Sequence, residues 1–525
     1  MRLLCRLTLL LFVLAPGTAR ADDPGLMRLS LIEGGVQVLI RDTTDWTDAT
    51  INVPLDEGDR LWVPEGGRAE VQIRGGVIVR ADGGTALDIL SADREAAQFY
   101  LDRGHAYINN RRGGVKVVQV DTPLTSVRSY DNSVMMLDVT EDGVSELSVL
   151  KGYVTAESRA GATRVGAGNT LTVRGEQDAE LSPIGSPDAW EQWNTSRDRE
   201  LTAWGESARY LPDELHEYSG DFDTNGRWDY ASNYGYVWVP TVSVASWAPY
   251  TMGRWVWIRG GYVWIAYDPW GWAPYHYGRW AYVAPRGWCW VPPAAGSVYW
   301  GPGYVGWVVT PLYVAWVPLA PGEIYYGYGY YGPWSMNINS VNMNTIVINR
   351  TYVNAPHAYA VNVVKRETFG TGVRIPVTNA ENPFVDAKRR FGGNTTIVPP
   401  PTRPDRPIVL RPPEERFGHM QPPEHERRSI AAREHPVTPP AQISQPLRQQ
   451  PPERVRLNRP EELRNERRMV RERDASVFRT RPPDNLPVKR SNEPRVIVRP
   501  PQQRPAAVQH GGEQMKQHGD RREGK

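Results

Sequence analysis

The chain has 525 residues, a formal net charge of +2 and only two cysteines. This length predicts two or three domains. Once a cleaved N-terminus is removed, Cys289 is the single cysteine left, which excludes an intrachain disulfide and a cysteine-based metal site. The charge is uneven, because residues 401–525 carry 27 Lys+Arg against 17 Asp+Glu and the remainder is acidic.

Residues 1–21 have the pattern of a secretory signal peptide. A basic start is followed by a short apolar run at 7–14 and by a small-x-small cleavage site at 19–21. The run is too short to cross a bilayer, and no later stretch reaches 18 apolar residues. We therefore expect an exported protein, periplasmic or extracellular, whose mature chain starts at Asp22 and has no transmembrane segment.

Residues 26–182 have a strand pattern in which β-branched runs alternate with polar residues between glycine pairs, as in "RAEVQIRGGVIVRADGGT". Such alternation is typical of half-buried antiparallel strands with tight turns. Four segments resemble the FecR-type domain: "PLDEGDRLWVPEGGRAEVQIRGG" (54–76), "LDRGHAYI" (101–108), "VDTPLTSVRS" (120–129) and "VLKGYVTA" (149–156). The resemblance implies a periplasmic or extracellular FecR-like antiparallel β-roll or sandwich.

The resemblance also bears on function. In ferric-citrate-type regulators, such a domain relays signals to a sigma factor. Those regulators also carry a cytoplasmic helical segment and a membrane span, and we find neither in this sequence. We therefore do not expect the regulatory role to carry over unchanged, and signal relay in the periplasm remains an alternative.

An amphipathic helix is predicted over 186–212 as the link between two β domains. Ser186 can cap its start, Pro187 suits the first turn, and Asp188 favours the positive end of the helix dipole. Large side chains recur on one face at steps of three to four residues: Trp190, Trp193, Arg197, Leu201 and Trp204. This stripe predicts docking on a large apolar surface, which we expect to belong to the following domain.

Residues 220–392 are predicted to form an aromatic-rich repeat β domain, because 15 of the 20 tryptophans lie within 228–334. The repeat has a period of 25–26 residues, since "WAPYTMGRW" (247–255) returns as "WAPYHYGRW" (272–280). These segments, with "WEQWNTSRDREL" (190–201), "VAWVPLAPGE" (314–323) and "KRETFGTG" (365–372), resemble a Trp-rich family of unknown function that accompanies FecR-type domains in bacterial exported proteins. The resemblance implies no known activity.

Three explanations of the aromatic repeats remain open. In a core, pairs such as Trp255 and Trp257 would share a strand face and stack into a ladder across adjacent hairpins, with arginines over rings of the neighbouring repeat. In a glycan or aromatic-ligand platform, the binding residues would be Trp247, Tyr250, Arg254, Trp255, Trp272, Tyr275, His276, Arg279 and Trp280. A membrane-interface belt fits less well, because Gly, Pro and Arg interrupt the aromatics.

One stretch, "GDFDTNGRWD" (220–229), has the start of a calcium loop. Asp221, Asp223 and Asn225 would be its oxygen ligands, although the twelfth position is Ser232 instead of Glu. The alternative is a turn held by Asx hydrogen bonds. No cofactor is predicted.

Residues 393–525 are rich in Pro and Arg, with few apolar residues, and are predicted to be a disordered basic tail. The tail is either a flexible spacer or a binder of anionic envelope polymer. We do not expect nucleic acid as a partner of an exported chain.

Signatures of nucleophilic, metal-dependent and phosphate-binding enzymes are missing from the sequence. The leading hypothesis is a non-enzymatic exported envelope protein with a binding or scaffolding role. Its partners would be an envelope polysaccharide, another anionic polymer or another envelope protein. Signal relay is the alternative from another class, and a polysaccharide hydrolase is a third.

Overall fold

The computed structural model describes residues 25–110, 117–175, 177–202, 205–242, 246–338, 347–348, 352–370, 382–384, 395–396 and 401. The predicted signal peptide and almost all of the predicted tail lie outside these residues. The described part is mostly β, which confirms the predicted fold class. Within it, no helix has the length and apolar character needed to span a membrane.

Residues 25–183, which we call the N-terminal unit, contain seventeen strands in their described part. The strands are β1 (Met27–Glu33), β2 (Gln37–Leu39), β3 (Thr47–Asp48), β4 (Pro54–Leu55), β5 (Arg60–Val63), β6 (Arg68–Ile73), β7 (Val77–Ala81), β8 (Thr85–Ala92), β9 (Ala96–Asn110), β10 (Val117–Asp121), β11 (Thr125–Tyr130), β12 (Ser133–Val139), β13 (Ser145–Lys151), β14 (Tyr153–Ser158), β15 (Gly161–Gly166), β16 (Asn169–Val173) and β17 (Ala179–Pro183).

These strands form two layers that share β9. Sheet A runs β4-β1-β6-β7-β9-β12-β13-β16-β17. Sheet B runs β3-β2-β5-β8-β9-β10-β11-β14-β15, and β9–β10 is its parallel pair. Side chains such as Val71, Ile108 and Leu137 are buried in the core. The arrangement follows from the alternating pattern, which gives each strand one apolar face.

Strand β9 changes sheets at Gly104. Up to Arg103 the strand pairs with β8, and from Gly104 onward it pairs with β12. Gly104 has φ +96°, and a Cβ at this position would lie 2.4 Å from the Thr85 Oγ1 atom. Glycine is therefore required here both by the backbone conformation and by the approach of the neighbouring strand.

The linking helix is shorter than predicted. Helix α1 spans Ala189–Thr202, and its N-terminus is capped by Asp188, whose Oδ1 accepts from the backbone N–H of Glu191 at 2.7 Å. Two 3₁₀ segments follow, at Glu206–Tyr210 and Asp213–Tyr218. The latter begins after Pro212, which has no N–H to donate and interrupts the helical hydrogen bonding.

The tryptophan stripe docks on the preceding domain, not on the following one as predicted. Trp190 and Trp193 stack with their ring centroids 5.3 Å apart. They pack with Tyr107, Val134 and Met136, which lie on β9 and β12 of sheet A. Trp204 of the predicted stripe lies outside the described residues. The helix therefore belongs structurally to the N-terminal unit.

A buried ionic network fastens the same helix to sheet A. Arg80 pairs with Glu70 at 2.8 Å and with Asp198 of α1 at 2.9 Å. Arg197 of α1 also reaches Glu70, at 3.2 Å, and the hydroxyl of Tyr107 donates to Asp198 at 2.8 Å. Two cations and two anions balance, which is the condition for burying them.

Residues 205–370 form the aromatic unit in their described part. Its further elements are α2 (Ser219–Asn225), β18 (Gly226–Ala231), β19 (Gly235–Pro240), β20 (Gly253–Ile258), β21 (Gly261–Ala266), α3 (Trp272–His276), β22 (Arg279–Val283), β23 (Gly287–Val291), β24 (Val305–Val309), β25 (Tyr313–Pro318), β26 (Tyr325–Gly327), β27 (Ser335–Asn337), β29 (Asn362–Lys365) and a 3₁₀ turn at Arg366–Thr368; β28 (Val347–Ile348) and β30 (Thr395–Thr396) pair with each other.

Candidate functional site

Four β-hairpins of the aromatic unit each place two tryptophans directly opposite one another in the described part. The pairs are Trp228–Trp238, Trp255–Trp264, Trp280–Trp290 and Trp307–Trp316. Corresponding tryptophans of the first and third hairpins are 52 residues apart, and so are those of the second and fourth. The predicted unit of 25–26 residues is therefore half of a 52-residue repeat.

Alternate hairpins pack together. The first and third share a sheet through Trp238 opposite Trp290, so four tryptophans cross strands β18, β19, β23 and β22 in one row. In the second and fourth hairpins, the rings of Trp255 and Trp307 lie 4.6 Å apart. This confirms the predicted ladder of aromatics across hairpins. The partner is the hairpin after next, whereas the sequence suggested the adjacent one.

The nine residues predicted to bind a ligand lie in this core. Eight are buried and Arg279 is half-buried: Trp247, Tyr250, Arg254, Trp255, Trp272, Tyr275, His276, Arg279 and Trp280. Their rings contact one another, with Tyr250 and Tyr275 at 4.9 Å and Trp247 and Trp280 at 5.6 Å. Because the ring faces are covered by other rings, the arrangement favours the core explanation over the platform.

The second copy of the motif contains the short helix α3 (Trp272–His276), so these residues do not form a strand. In this helix His276 is fully buried, and its ring stacks on Trp300 at 5.1 Å. Its Nδ1 lies 2.8 Å from the Gly301 carbonyl oxygen, which can only accept, so Nδ1 carries the hydrogen. Burial lowers the pKa of His276 to about 4, and the ring is neutral at pH 7.

Tyr250 joins the repeats by hydrogen bonds. Its hydroxyl donates to the carbonyl oxygen of Tyr275 at 2.9 Å and accepts from the backbone N–H of Tyr304 at 2.9 Å. Burial raises the pKa of Tyr250 above its usual value. The phenol is therefore a structural link with both of its roles used.

The arginines of the Gly-Arg-Trp motif have different surroundings. The guanidinium of Arg279 lies 3.7 Å from the ring centroid of Tyr304, in the next repeat, as the sequence predicted. Arg227 is exposed. Arg254 is buried, and none of its three side-chain nitrogens has a hydrogen-bond partner in the described part of the chain.

The predicted calcium loop is an α-helix, α2. Asp221 accepts from Arg28 at 3.1 Å, and Asp223 accepts from the Ser207 hydroxyl at 2.7 Å. Asn225 donates to the main-chain oxygen of Asp221 at 2.8 Å. Residues two apart on a helix point to different sides, so these oxygens do not converge. Among the described residues, no group of three His, Cys, Asp or Glu side chains could hold a metal ion.

Buried charges join the aromatic unit to the N-terminal unit. At the turn of the second hairpin, Arg259 forms ion pairs with Asp59 and, at 3.6 Å, with Asp56. On the other side, Arg28 of β1 pairs with Asp221 at 3.1 Å. All of these side chains except Asp221 are at least nine-tenths buried.

Further hydrogen bonds complete this interface. The Asn52 amide donates to the main-chain oxygens of Ala266 and Asp268, at 3.2 and 3.0 Å. The Arg74 guanidinium donates to the hydroxyl of Tyr277 at 3.0 Å. One hydrophobic cluster also contains residues of both units. The two units therefore share a continuous core, which the prediction of two domains joined by a helix did not anticipate.

A separate set of aromatics is on the surface, and the sequence analysis missed it. Tyr230 and Tyr236 face each other across β18 and β19, with centroids 5.5 Å apart, and each is more than half exposed. Tyr282 occupies the position 52 residues after Tyr230 and is also exposed. The sequence contained a signal for these tyrosines, because each lies two residues from a paired tryptophan, on the turn side of its hairpin.

Two regions of the chain match known protein families. Residues 59–155 match the FecR protein family, and residues 219–323 match a family of unknown function, DUF6600. Two crystal structures of a protein described as a candidate anti-sigma factor from Parabacteroides distasonis ATCC 8503, at 1.65 and 2.50 Å resolution, are also similar in part. Each shares 16% identity over 24% of this chain and 60% of its own, with a TM-score of 0.22.

The chain therefore spans 60% of the length of that solved structure. No curated protein matches the chain. The two family matches agree with the resemblances found in the sequence, and each falls within one of the two β units. The chain combines a FecR domain at residues 59–155 with a DUF6600 domain, of unknown function, at residues 219–323.

Proposed function

We propose that this chain is a non-enzymatic regulatory protein of the bacterial cell envelope, in which the FecR and DUF6600 domains relay a signal as one coupled body. The observation that carries the proposal is the buried ionic contact of Arg259 with Asp56 and Asp59. Together with the FecR match, this contact supports relay over a purely structural role. The proposal includes export of the chain to the cell envelope. It also holds that the chain does not hydrolyse polysaccharide.

The physical argument concerns the cost of separating the domains. Removing a partner from a buried ion pair typically costs about 3–5 kcal/mol, because the remaining charge is left unpaired. Sliding the aromatic unit, which contains the DUF6600 domain, away from the N-terminal unit, which contains the FecR domain, would break the contacts of Arg259, Arg28 and Asn52 together. If a partner binds one domain and favours one arrangement of the interface, the other domain will therefore change its position as well.

The test is genetic complementation with an interface variant. We expect deletion of the gene to change transcription of a sigma-factor regulon, and the wild-type chain to restore it. Arg259→Met leaves Asp56 and Asp59 uncompensated and should restore little. The matched control is Arg209→Met, which removes a guanidinium from an exposed pair with Glu206.

Two outcomes would contradict the proposal. If deletion leaves transcription unchanged, the chain is not a relay component. If Arg259→Met complements as well as the wild type, relay does not pass through this interface. Circular dichroism and purification yield of Arg259→Met would establish that a loss of complementation does not come from unfolding.

A second candidate function is binding of an envelope polysaccharide, which the exposed tyrosines favour. Sugar rings present C–H faces that stack on aromatic rings, and Tyr230 and Tyr236 offer two such rings at right angles on a regular sheet. Retention on peptidoglycan and on lipopolysaccharide can be compared for the wild type, Tyr230→Ala/Tyr236→Ala and the control Leu312→Ala. Equal retention of all three would remove this candidate.

A further inference from the structure

Three hairpins of the aromatic unit begin with the same motif, Gly-Arg-Trp, yet their arginines differ in how the charge is matched. Arg227 is exposed, so water solvates its guanidinium. Arg279 lies over the ring of Tyr304 and donates to the carbonyl oxygen of Gly278 at 2.8 Å. Both positions therefore have a match for the guanidinium charge, although Nε of Arg279 is buried without a hydrogen-bond partner in the described part of the chain.

Arg254, the equivalent residue of the second hairpin, has no such compensation. The residue is only 7% exposed, and Nε, Nη1 and Nη2 are each buried without a hydrogen-bond partner in the described part of the chain. Burial lowers the pKa of Arg254 to about 10, which still leaves the guanidinium charged at pH 7. An unpaired buried charge costs several kcal/mol, so an occupant that matches it would be strongly favoured.

The surroundings of Arg254 limit what that occupant can be. Along β20, Arg254 shares a face with Val256 and Ile258, and it lies opposite Ile265 of β21. All three apolar side chains are buried. These three described neighbours carry no acidic group and form an apolar surrounding, so one positive charge is best neutralised by one negative charge.

The same face continues to the open end of the hairpin, where the backbone N–H of Tyr267 donates to the oxygen of Met252 at 3.0 Å. Met252 is half-buried, and the unbranched thioether chain of methionine adapts easily to a new neighbour. Tyr267 acts against burial, which lowers the pKa of Arg254, and raises that pKa in part. Among the positions of this face, Met252 is the partly exposed one nearest to Arg254 along the chain.

We propose that Arg254 is a binding site for a single carboxylate group of a ligand, which enters at the open end of the β20–β21 hairpin. The planar guanidinium fork matches a carboxylate in two parallel hydrogen bonds. A phosphate would bring up to two negative charges and leave an excess buried, so the monoanion fits better. The site does not depend on the relay function, although occupation beside the Arg259 interface would give that relay an input.

The experiment uses the full mature chain and sodium acetate as the probe. Calorimetric Tm values are measured against acetate concentration, with sodium chloride holding the ionic strength constant. We expect the Tm of the wild type to rise by about 2–4 °C at saturating acetate, because only the folded state binds. Sodium phosphate at the same ionic strength should give a smaller rise.

Three variants give the controls. Arg254→Met should have a higher Tm than the wild type without acetate and no response to acetate. Arg254→Lys keeps the charge but loses the fork, and should need about tenfold more acetate for the same rise, which is roughly the loss of one good charge-assisted bond. Arg279→Met changes the equivalent motif position and should keep the full response.

The outcomes decide the proposal. A wild-type Tm that does not depend on acetate would overturn it, and so would an equal response in Arg254→Met. If Arg254→Met does not fold, an unchanged acetate dependence in Arg254→Lys would overturn it instead. Loss of the response in the Arg254 variants alone would establish the site.

Discussion

The rings of Trp255 and Trp307 lie 4.6 Å apart although 52 residues separate them in the chain. Each belongs to a directly opposed tryptophan pair, with Trp264 and Trp316 respectively. The contact shows that tryptophans of alternate hairpins, one 52-residue repeat apart, pack directly against each other. Aromatic side chains of this size bury about 150–250 Å² each, and in the described residues they fill the core without a disulfide, since Cys289 is a free thiol.

The first prediction concerns the tryptophan row. Trp238→Ala should lower the free energy of unfolding by about 3–5 kcal/mol, because it removes a fully buried ring and leaves a cavity. Tyr230→Ala, at a residue that is 58% exposed, should change it by less than about 1 kcal/mol. Guanidinium denaturation followed by tryptophan fluorescence measures both. Similar losses in the two variants would contradict a core role for the row.

The second prediction concerns the buried ionic network under α1. Although burial raises the pKa of Glu70, Arg80 and Arg197 outweigh it and hold the pKa below its usual value. Glu70→Gln should therefore cost about 3–5 kcal/mol, since it leaves the buried guanidinium of Arg80 and the partly buried one of Arg197 short of a negative charge. Glu200→Gln is the matched control, because Glu200 is an exposed partner of the same Arg197. That variant should cost about 0–1 kcal/mol in chemical denaturation.

The third prediction is a pH dependence set by His276. Burial holds its folded pKa near 4, against about 6.5 unfolded, with the nearby positive charge of Arg28 acting in the same direction. The unfolded chain therefore binds the proton first as pH falls. The contribution of His276 is full above about pH 6.5 and is lost progressively down to about pH 4, for a total of about 3 kcal/mol.

The matched variant for this effect is His276→Phe, which keeps a ring against Trp300 and cannot titrate. Free energies of unfolding are measured from pH 7.5 to 4.5 for both proteins. The difference between the two curves isolates His276 from the buried carboxylates Asp59, Glu217 and Asp221, whose raised pKa values, caused mainly by burial, act with the opposite sign. Parallel curves would refute the assignment.

The fourth prediction concerns the point where β9 passes between the two sheets. Gly104→Ala should destabilise the FecR domain by about 2 kcal/mol or more, because φ is +96° and the new Cβ would meet Thr85. Gly166→Ala is the control, since a Cβ at that position meets no atom within 4 Å. Thermal unfolding compares the two variants. Equal Tm values would mean that the strand passes between the sheets without this constraint.

Local patterns allowed much of the fold to be predicted. The alternation around residues 68–85 predicted paired strands, which are β6 and β7, and the recurrence of Gly-Arg-Trp predicted hairpins with stacked tryptophans. The end of the linking helix was placed too late, because α1 ends at Thr202 and is followed by Gly205, a poor helix former, and by a separate 3₁₀ segment from Glu206. The docking of Trp190 and Trp193 was assigned to the wrong domain, since periodicity defines a face and not its partner.

The sequence by itself determined the strand class, the repeat and the residue types that fill the core, because the period of apolar side chains is a local property. Only the tertiary structure decided which hairpins pack together. It also decided whether the arginine of each motif copy contacts a ring, is exposed, or is buried without a hydrogen-bond partner among the described residues. Arg227, Arg254 and Arg279 occupy the same position of the Gly-Arg-Trp motif. Arg227 is exposed, Arg279 lies over the ring of Tyr304, and Arg254 is buried without a hydrogen-bond partner among the described residues. That difference arises from neighbours far away in the chain, whose positions depend on packing of the whole core.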